Sequence, residues 1–475
     1  MTTLLRKDWT RISGVEWAGL GLLAIVFFVW PTGGWYTLKD LMLLVMLALF
    51  AWLSRRQGVF RAATAELRAP LLLLGGITAW LMVSTPFLAI DPAWSWREIG
   101  GQWFRPLIMG VIGFMAAAHF ADRPGTQRLI IYLLLGVTLV HLAVVDVQAV
   151  RGIWLATRQE MHSSLPRFAG LTDGTARISM LTNIAFALVL TELYFQRHAR
   201  TAVPRPRYTV IAAVIVVVLV SIVASRTRNA VLVLALMLLA WVAIQFPVRT
   251  WWRRRVWRYG LVAGVLVLLA SALYLAGNLR PEVNTRRTID TVVMAWDTGS
   301  HRHWLNDKKY PMPSLPDGQP IDISAYQRVA WFKEGLVLVG EHPFGIGFGR
   351  IALVKGLEAK YGESQRGIFT HSGVLDFAIG AGVPAALMWV VFVWLLLRLA
   401  WRRFRDHESY AALALFFVVL DFGSRMFIDH ILREQMFQQF MLLAGVLAGI
   451  VVSERGHAVS PLANTVASAT PRSAC

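Results

Sequence analysis

The chain contains little cysteine and few charged residues for its length. Its one cysteine, Cys475, is the last of 475 residues, so no disulfide can link two parts of the chain. Charged residues make up only 16% and hydrophobic residues 56%, a composition that excludes an ordinary soluble domain. We therefore expect an all-α integral membrane protein, because only helices pair all of their own backbone groups in hydrocarbon.

Several patterns that carry known chemistry are missing as well. No GxSxG motif occurs, which argues against a serine hydrolase of the elbow type. The run HPFGIGFGR (342–350) lacks the Lys-Ser/Thr ending of a phosphate-binding loop, so its glycines indicate turns. His301 and His303 have no third ligand at suitable spacing, and no cluster of carboxylates suits a hard cation. We expect this histidine pair to be solvated and the protein to use no metal or cofactor.

Twelve apolar segments are present that are long enough, or nearly so, to cross the membrane as helices. About 20 residues are needed to span roughly 30 Å of hydrocarbon. The segments lie at 14–31, 35–53, 70–90, 104–120, 129–150, 178–196, 209–224, 229–246, 259–277, 372–397, 410–424 and 436–452. We find no internal repeat among them. The predicted organisation is helices 1–9 in residues 1–277, a polar segment at 278–371, helices 10–12 in 372–452, and a disordered tail at 453–475.

The distribution of basic residues predicts the orientation. Basic clusters stand at SRRQGVFR (54–61), QRHARTAVPRPR (196–207), RTWWRRRVWR (249–258) and RLAWRRFR (398–405). Positively charged short loops stay in the cytoplasm, so both termini are expected inside and the segment 278–371 outside. The net charge of +19 is then explained by basic rims that face anionic lipid head groups. We expect membrane lipids as partners and no nucleic acid.

The outer polar segment 278–371 divides into two parts. Its first part is rich in turn formers and is expected to be irregular in places. Its later part, ISAYQRVAWFKEGLVLVGEHPFG (323–345), has the spacing of an amphipathic helix that ends near the proline and glycines of HPFGIGFGR.

Two features at the predicted outer face suggest chemistry. SRTRN (225–229) places Arg226 and Arg228 where the positive-inside rule gives no reason for them. They either reach lipid phosphates at a helix end or hold an anionic substrate, which a guanidinium fork suits. His371 stands where the outer segment re-enters the membrane, and it is either a general base for a hydroxyl or a helix-start histidine bonded to the loop.

Taken together, these motifs resemble those of the O-antigen ligase and O-antigen polymerase superfamily, over roughly residues 209–400. The family pattern is His, then Asn, Ser or Gln, nine residues, Gly, two residues, then Gly, Thr or Tyr. Here His371, Ser372 and Gly382 fit, and Ala385 departs at the last position. The family's HPxxGxG element is similar to residues 342–347, with the spacing to the glycines one residue shorter.

The resemblance implies a GT-C-like membrane glycosyltransferase. In such an enzyme Arg226 and Arg328 would bind the diphosphate of an undecaprenyl diphosphate-linked glycan, and His371 would activate the acceptor hydroxyl. The reaction would invert the anomeric centre without a metal, at the periplasmic side of a Gram-negative inner membrane. The preferred member is an O-antigen ligase, whose acceptor is lipid A-core; an O-antigen polymerase or a protein O-oligosaccharyltransferase are the alternatives within the family.

Other outer-face charges are candidates for contacts with the acceptor or its phosphates. They are Arg228, Arg167, Arg177, Arg425 and His430, of which the last two belong to a crowd of charges at 421–433. Salt-linked packing of loops explains them equally well.

A transporter of lipid-linked sugars is the competing class. Such a protein is expected to show charged or broken helices near the middle of the membrane and often a two-fold repeat. The sequence shows neither feature clearly, and its polar chemistry gathers at one interface, which favours the enzyme.

The predicted orientation can be tested with reporter fusions. An alkaline phosphatase fusion near Gly318 should be active, because the enzyme folds only outside the cytoplasm, and a fusion near Pro247 should be inactive. The reverse pattern would invert the orientation and place His371 in the cytoplasm.

Overall fold

The computed structural model describes residues 12–55, 66–158, 167–198, 208–245, 285–365 and 368–454, which form helices and no β-strand. The helices are α1 (Gly14–Val29), α2 (Tyr36–Ser54), α3 (Arg68–Leu88), α4 (Pro92–Glu98), α5 (Arg105–His119), α6 (Pro124–Arg158), α7 (Thr175–His198), α8 (Tyr208–Ser225), α9 (Arg228–Gln245), α10 (Thr285–Trp296), α11 (Ile323–Glu341), α12 (Ala352–Tyr361), α13 (Gly373–His407), α14 (Tyr410–Arg425) and α15 (Glu434–Ser453).

Seven of these helices are long and apolar enough to cross a membrane, namely α2, α3, α6, α7, α8, α13 and α15. Two further apolar helices, α1 and α9, are shorter. The prediction of an all-helical, multi-spanning protein is thus confirmed, whereas the count of twelve spans stays a prediction. The ninth predicted span, 259–277, and the tail after Glu454 lie outside the described residues.

A π-helical turn joins α4 to α5. Residues Ile99–Phe104 form this turn, so that the chain is helical without interruption from Pro92 to His119. Asp91 begins the run, because its side chain accepts a hydrogen bond of 3.0 Å from the Trp94 N–H. The α5 part alone has 15 residues and is about 22 Å long, less than the thickness of the hydrocarbon.

The centre of the bundle is held by close helix packing and by aromatic rings. Helices α5 and α15 pack backbone against backbone, since a Cβ on Gly445 would overlap the carbonyl of Gly110. Next to this contact the fully buried Trp103 lies 6.0–6.3 Å from a set of aromatic rings, measured between ring centroids. The set comprises Phe348, Phe377, Trp389 and Phe437.

Helix α13 is not the single regular span expected over 372–397. Gly382 interrupts it with φ 85° and ψ 163°, a conformation that is essentially restricted to glycine. Charged side chains are also buried within helices: Asp421 of α14 is 1% exposed and accepts a hydrogen bond of 2.7 Å from Asn183. The sequence shows no clear sign of the break, and it contains Asp421 without revealing its burial, because neither burial nor φ can be read from an apolar run.

The segment from α10 to α12, which follows α9 in the described chain, has a small hydrophobic core of its own. Trp304, Tyr326 and Leu357 are among its buried side chains, and α11 lies across it. The predicted amphipathic helix is confirmed as α11, which ends at Glu341 before HPFGIGFGR. The first part, expected to be irregular in places, contains α10, and His303 is buried with Nδ1 2.9 Å from the Tyr310 carbonyl oxygen, contrary to the expected solvated pair.

Candidate functional site

The loop HPFGIG docks into the break in α13. The Ile346 N–H donates to the Ile379 carbonyl at 3.0 Å, and the Gly347 N–H donates to the Gly380 carbonyl at 3.0 Å. On the other side of the break, the Val383 N–H donates to the Pro343 carbonyl at 2.8 Å. The loop therefore supplies hydrogen-bond partners to backbone groups that the interruption at Gly382 would otherwise leave unpaired.

This docking sets the position of His371, which stands two residues before α13. Ser372 caps the helix, since its hydroxyl accepts a hydrogen bond of 3.4 Å from the Leu375 N–H. The backbone of His371 is left-handed, with φ 59°, an uncommon conformation for a histidine. Strained residues of this kind concentrate at functional sites.

Aromatic rings enclose the His371 imidazole. The Trp331 ring is stacked against it, with centroids 6.1 Å apart and an angle of 16°, and Trp331 is one turn after Arg328 on α11. Two further rings are close to His371: the Phe369 centroid lies 4.4 Å and the His430 centroid 6.2 Å from the centroid of its imidazole. Since all of these side chains converge on His371, it lies in a half-buried aromatic pocket between α11 and the α14–α15 connection.

The electrostatic environment of His371 favours the neutral imidazole. Burial lowers its pKa from 6.5 to about 4, with further lowering by Arg328, His430 and Arg433 and an opposing effect of Asp429. At neutral pH the ring therefore carries no charge and one of its nitrogens is free to accept a proton. This is the state that a general base requires.

The α14–α15 connection, residues 426–433, contacts the start of α13 and the end of α14. The Gly373 N–H donates to the Asp429 carbonyl at 2.9 Å, which fixes the start of α13 on this connection. The Asp429 carboxylate pairs with Arg425 at 2.9 Å and lies 3.1 Å from His430 Nδ1. Burial raises the pKa of Asp429, but His430 and Arg425 outweigh burial and hold it well below its usual range.

SRTRN is attached to the same connection. Asn229 Nδ2 donates to the Ile428 carbonyl at 3.1 Å, so this turn and His371 lie at one end of the bundle. Arg226 has a left-handed backbone with φ 49°, and its N–H donates to the Ile222 carbonyl at 3.1 Å. Its side chain lies at a groove of about 320 Å³ between α6 and α8, lined otherwise by Ala149, Ile153, Phe168, Leu219, Val220, Val223 and Ala224.

The structure thus brings Arg328 and His430 close to His371. It places Arg226 at the groove between α6 and α8, which is called the lateral groove below. Of the other candidate contacts, Arg425 is fully buried in its pair with Asp429 and donates to Ser179 Oγ at 2.8 Å, which makes it a support for the connection. Arg177 forms ion pairs with Asp173 and with Glu434, the latter at 3.3 Å. Arg167 is exposed, and the side chain of Arg228 lies outside the described residues.

Two neighbours of the site were not singled out as site residues, although Arg433 belongs to the group of outer charges noted in the sequence. Arg350 donates its backbone N–H and its guanidinium to Glu98 at 2.9–3.3 Å, although the two residues are 252 positions apart. Arg433 lies over the Phe369 ring, 4.5 Å from its centroid. For Arg433 the crowd of charges at 421–433 was a usable signal, whereas nothing in the sequence links Glu98 to Arg350.

One comparison with known proteins gives a match. A family model described as O-antigen ligase matches residues 211–390, a range that contains Arg226, Arg328, His371 and Gly382. The match confirms the resemblance found in the motifs, over residues 211–390. No curated protein is similar enough to the chain to count as a match.

The chemistry available at the site comes from arginine and histidine side chains. In the described parts of the chain, no three side chains of the His, Cys, Asp or Glu type converge as a metal ion would require. Guanidinium groups suit phosphate oxygens, and a neutral imidazole suits a hydroxyl proton.

The docked loop gives a testable prediction. Gly382→Ala should destabilise the protein by at least about 1–3 kcal/mol, because alanine is strained at this φ and ψ and its Cβ would overlap Phe344. Thermal unfolding in detergent measures the loss. Gly340→Ala is the matched control, since it lies exposed in α11 with open space around it and should be neutral or slightly stabilising. Equal stability of the two variants would contradict the docking.

Proposed function

We propose that the protein is an O-antigen ligase, which transfers a glycan from undecaprenyl diphosphate to a sugar hydroxyl of lipid A-core at the periplasmic face of a Gram-negative inner membrane. The observation that carries the proposal is the neutral His371 beside Arg328, within the range that matches the family model. A base for a hydroxyl and a cation for a leaving phosphate are the two groups that this transfer needs.

The donor is proposed to bind along the lateral groove. Its polyprenyl chain would lie against the apolar side chains between α6 and α8, and its diphosphate would meet Arg226 at the rim. Arg328 would meet the same diphosphate from α11, and the acceptor sugar would approach His371 from the aqueous side. This arrangement rests on the apolar lining of the groove and on the position of Arg226 at one end of the bundle with His371.

The proposed reaction is a direct displacement. His371 takes the proton of the acceptor hydroxyl while its oxygen forms a bond to the anomeric carbon, and the bond from that carbon to the phosphate oxygen breaks. The electron pair leaves with undecaprenyl diphosphate, whose negative charge Arg226 and Arg328 stabilise. Attack opposite the leaving group inverts the anomeric centre. The step needs no metal, since the arginines offset the developing charge.

The competing functions differ in the acceptor or in the absence of a reaction. A polymerase would use another lipid-linked glycan, and a protein oligosaccharyltransferase would use a serine or threonine hydroxyl. The break at Gly382 and the buried charges of α14 are features that support the transporter hypothesis. The family match favours the enzyme over the transporter, and the cationic outer connections, which suit a phosphorylated acceptor, favour the ligase.

The function can be tested with purified protein, undecaprenyl diphosphate-linked glycan and rough lipopolysaccharide, without nucleotide. Joined lipopolysaccharide should form in EDTA as well as in buffer. Longer lipid-linked glycan in its place would identify a polymerase, and no covalent product would support the transporter. Complete loss of activity in EDTA, restored by magnesium, would show that a metal neutralises the diphosphate.

Arg226 supplies a prediction about charge and geometry. Arg226→Lys should keep the charge yet lose most of the transfer rate, about tenfold or more, because an ammonium cannot form two parallel bonds to a phosphate. Arg228→Lys is the control, since Arg228 is the other arginine of SRTRN and begins α9, whereas Arg226 lies in the left-handed turn before that helix. Wild-type transfer by Arg226→Lys, or equal sensitivity at the two positions, would remove Arg226 from the site.

The pKa of His371 predicts the pH dependence. A base with a pKa of about 4 remains deprotonated well below pH 6.5, so kcat/KM should stay level as pH falls and drop only near pH 4. Arg328→Gln removes a neighbouring cation and should shift this acid limb to higher pH. Lys309→Gln, whose ion pair is with Glu363, should leave the limb in place. An acid limb near pH 6.5 in the wild type would contradict the assignment of His371 as the base.

A further inference from the structure

Among the described residues, Arg433 has no close carboxylate partner, unlike three arginines of the same region. Arg350 pairs with Glu98 at 2.9 Å, Arg425 with Asp429 at 2.9 Å, and Arg177 with Glu434 and Asp173. Among the residues that the structure describes, no carboxylate oxygen lies within 4.0 Å of the Arg433 guanidinium. Its contact with a protein acceptor is a long one, from NH1 to the Arg350 carbonyl at 3.5 Å.

The guanidinium is nevertheless fixed beside the proposed base. Its Cζ lies 4.5 Å from the centroid of Phe369, and the Phe369 centroid lies 4.4 Å from that of His371. It also lines a cavity of about 30 Å³ together with Gln102, Asp376 and His430. A guanidinium that stacks on an aromatic ring keeps its N–H groups available as donors. The ring face attracts the positive charge but does not accept these in-plane hydrogen bonds.

The charged groups around Arg433 are compatible with a guanidinium that binds an incoming anion. Burial lowers the pKa of Arg433, and Arg350 adds to this lowering, whereas Asp376, Glu434 and Asp429 oppose it from a distance. These carboxylates come from α13, from the start of α15 and from the connection. They offset part of the cost of burial without forming a close pair, so an incoming anion would not have to break an internal salt bridge.

We infer that Arg433 is a further phosphate-binding residue of this site, placed to bind either the diphosphate of the lipid-linked donor or a phosphate on the acceptor. The inference rests on the proposed function for the identity of these ligands. A dianionic phosphate bound by Arg328 and Arg433 would lie near His371, whose pKa both cations lower. Bound phosphate would then offset their effect and make His371 a stronger base.

The experiment uses the full chain in detergent and measures binding without transfer. Undecaprenyl diphosphate is titrated into the wild type and into Arg433→Gln by calorimetry, with undecaprenol as the ligand that lacks phosphate. Loss of one charge-assisted contact weakens binding by about tenfold to a hundredfold. If the donor is the source of the phosphate, Arg433→Gln should weaken undecaprenyl diphosphate by that factor and leave undecaprenol unchanged.

A second arm tests the acceptor. The dissociation constant for rough lipopolysaccharide is compared with that for the same acceptor after enzymatic removal of its phosphates. If the acceptor is the source, Arg433→Gln should raise the first dissociation constant by a similar factor and leave the second unchanged. Arg302→Gln is the matched control, since Arg302 also lies over an aromatic ring, Tyr361 at 6.0 Å, and is not among the charges that act on His371.

The outcomes distinguish a phosphate-binding role of Arg433 from a role in packing alone. Unchanged values in both arms by a folded Arg433→Gln protein would overturn the inference, as would equal effects in Arg302→Gln. If Arg433→Gln does not fold, the wild type is treated with phenylglyoxal, and undecaprenyl diphosphate or rough lipopolysaccharide should protect Arg433 from modification. Absence of protection by both overturns the inference. Because donor binding is measured without turnover, a missing ligase activity would count against the proposed function and not against this residue.

Discussion

A helix that stops inside hydrocarbon leaves backbone groups with no water to bind, and the arrangement of this protein depends on how the break at Gly382 is satisfied. The loop between α11 and α12 provides the partners, through the Ile346 and Gly347 N–H groups and the Pro343 carbonyl. The same loop ends α11, which carries Arg328 and Trp331, and the helix it enters begins just after His371. One set of backbone hydrogen bonds therefore fixes the distance between the proposed base and its neighbouring cation.

The charges around this junction follow a consistent division. Those that form close pairs, such as Arg425 with Asp429 and Arg350 with Glu98, hold separate segments together. Arg328 and Arg433, which lower the pKa of His371, belong to α11 and to the α14–α15 connection. Breaking a close buried pair is costly, because it leaves an uncompensated charge.

The sequence was sufficient for the long apolar helices and for the residues within short motifs. Apolar runs predict α2, α3, α6, α7, α8, α13 and α15 because length and hydropathy are local properties. The motif around His371 indicated Gly382, but its φ could not be read, so the break was missed. The approach of Arg433 to Phe369, and of Glu98 to Arg350, depends on the tertiary packing of distant helices, which no spacing within one segment encodes.

The π-helical turn between α4 and α5 adds a dependence on residue number. A π turn holds more residues than the α-helical turn it replaces, and here it lies directly after Glu98. In a regular α-helix, one inserted residue would rotate everything before it by about 100° relative to α5. The wider π turn takes up its extra residue locally, so Glu98 keeps the facing that reaches Arg350. A residue added to or removed from the regular turns of α5 has no such compensation, and it would turn Glu98 away from Arg350 and detach the α4 end of the site from the loop that fills the helix break.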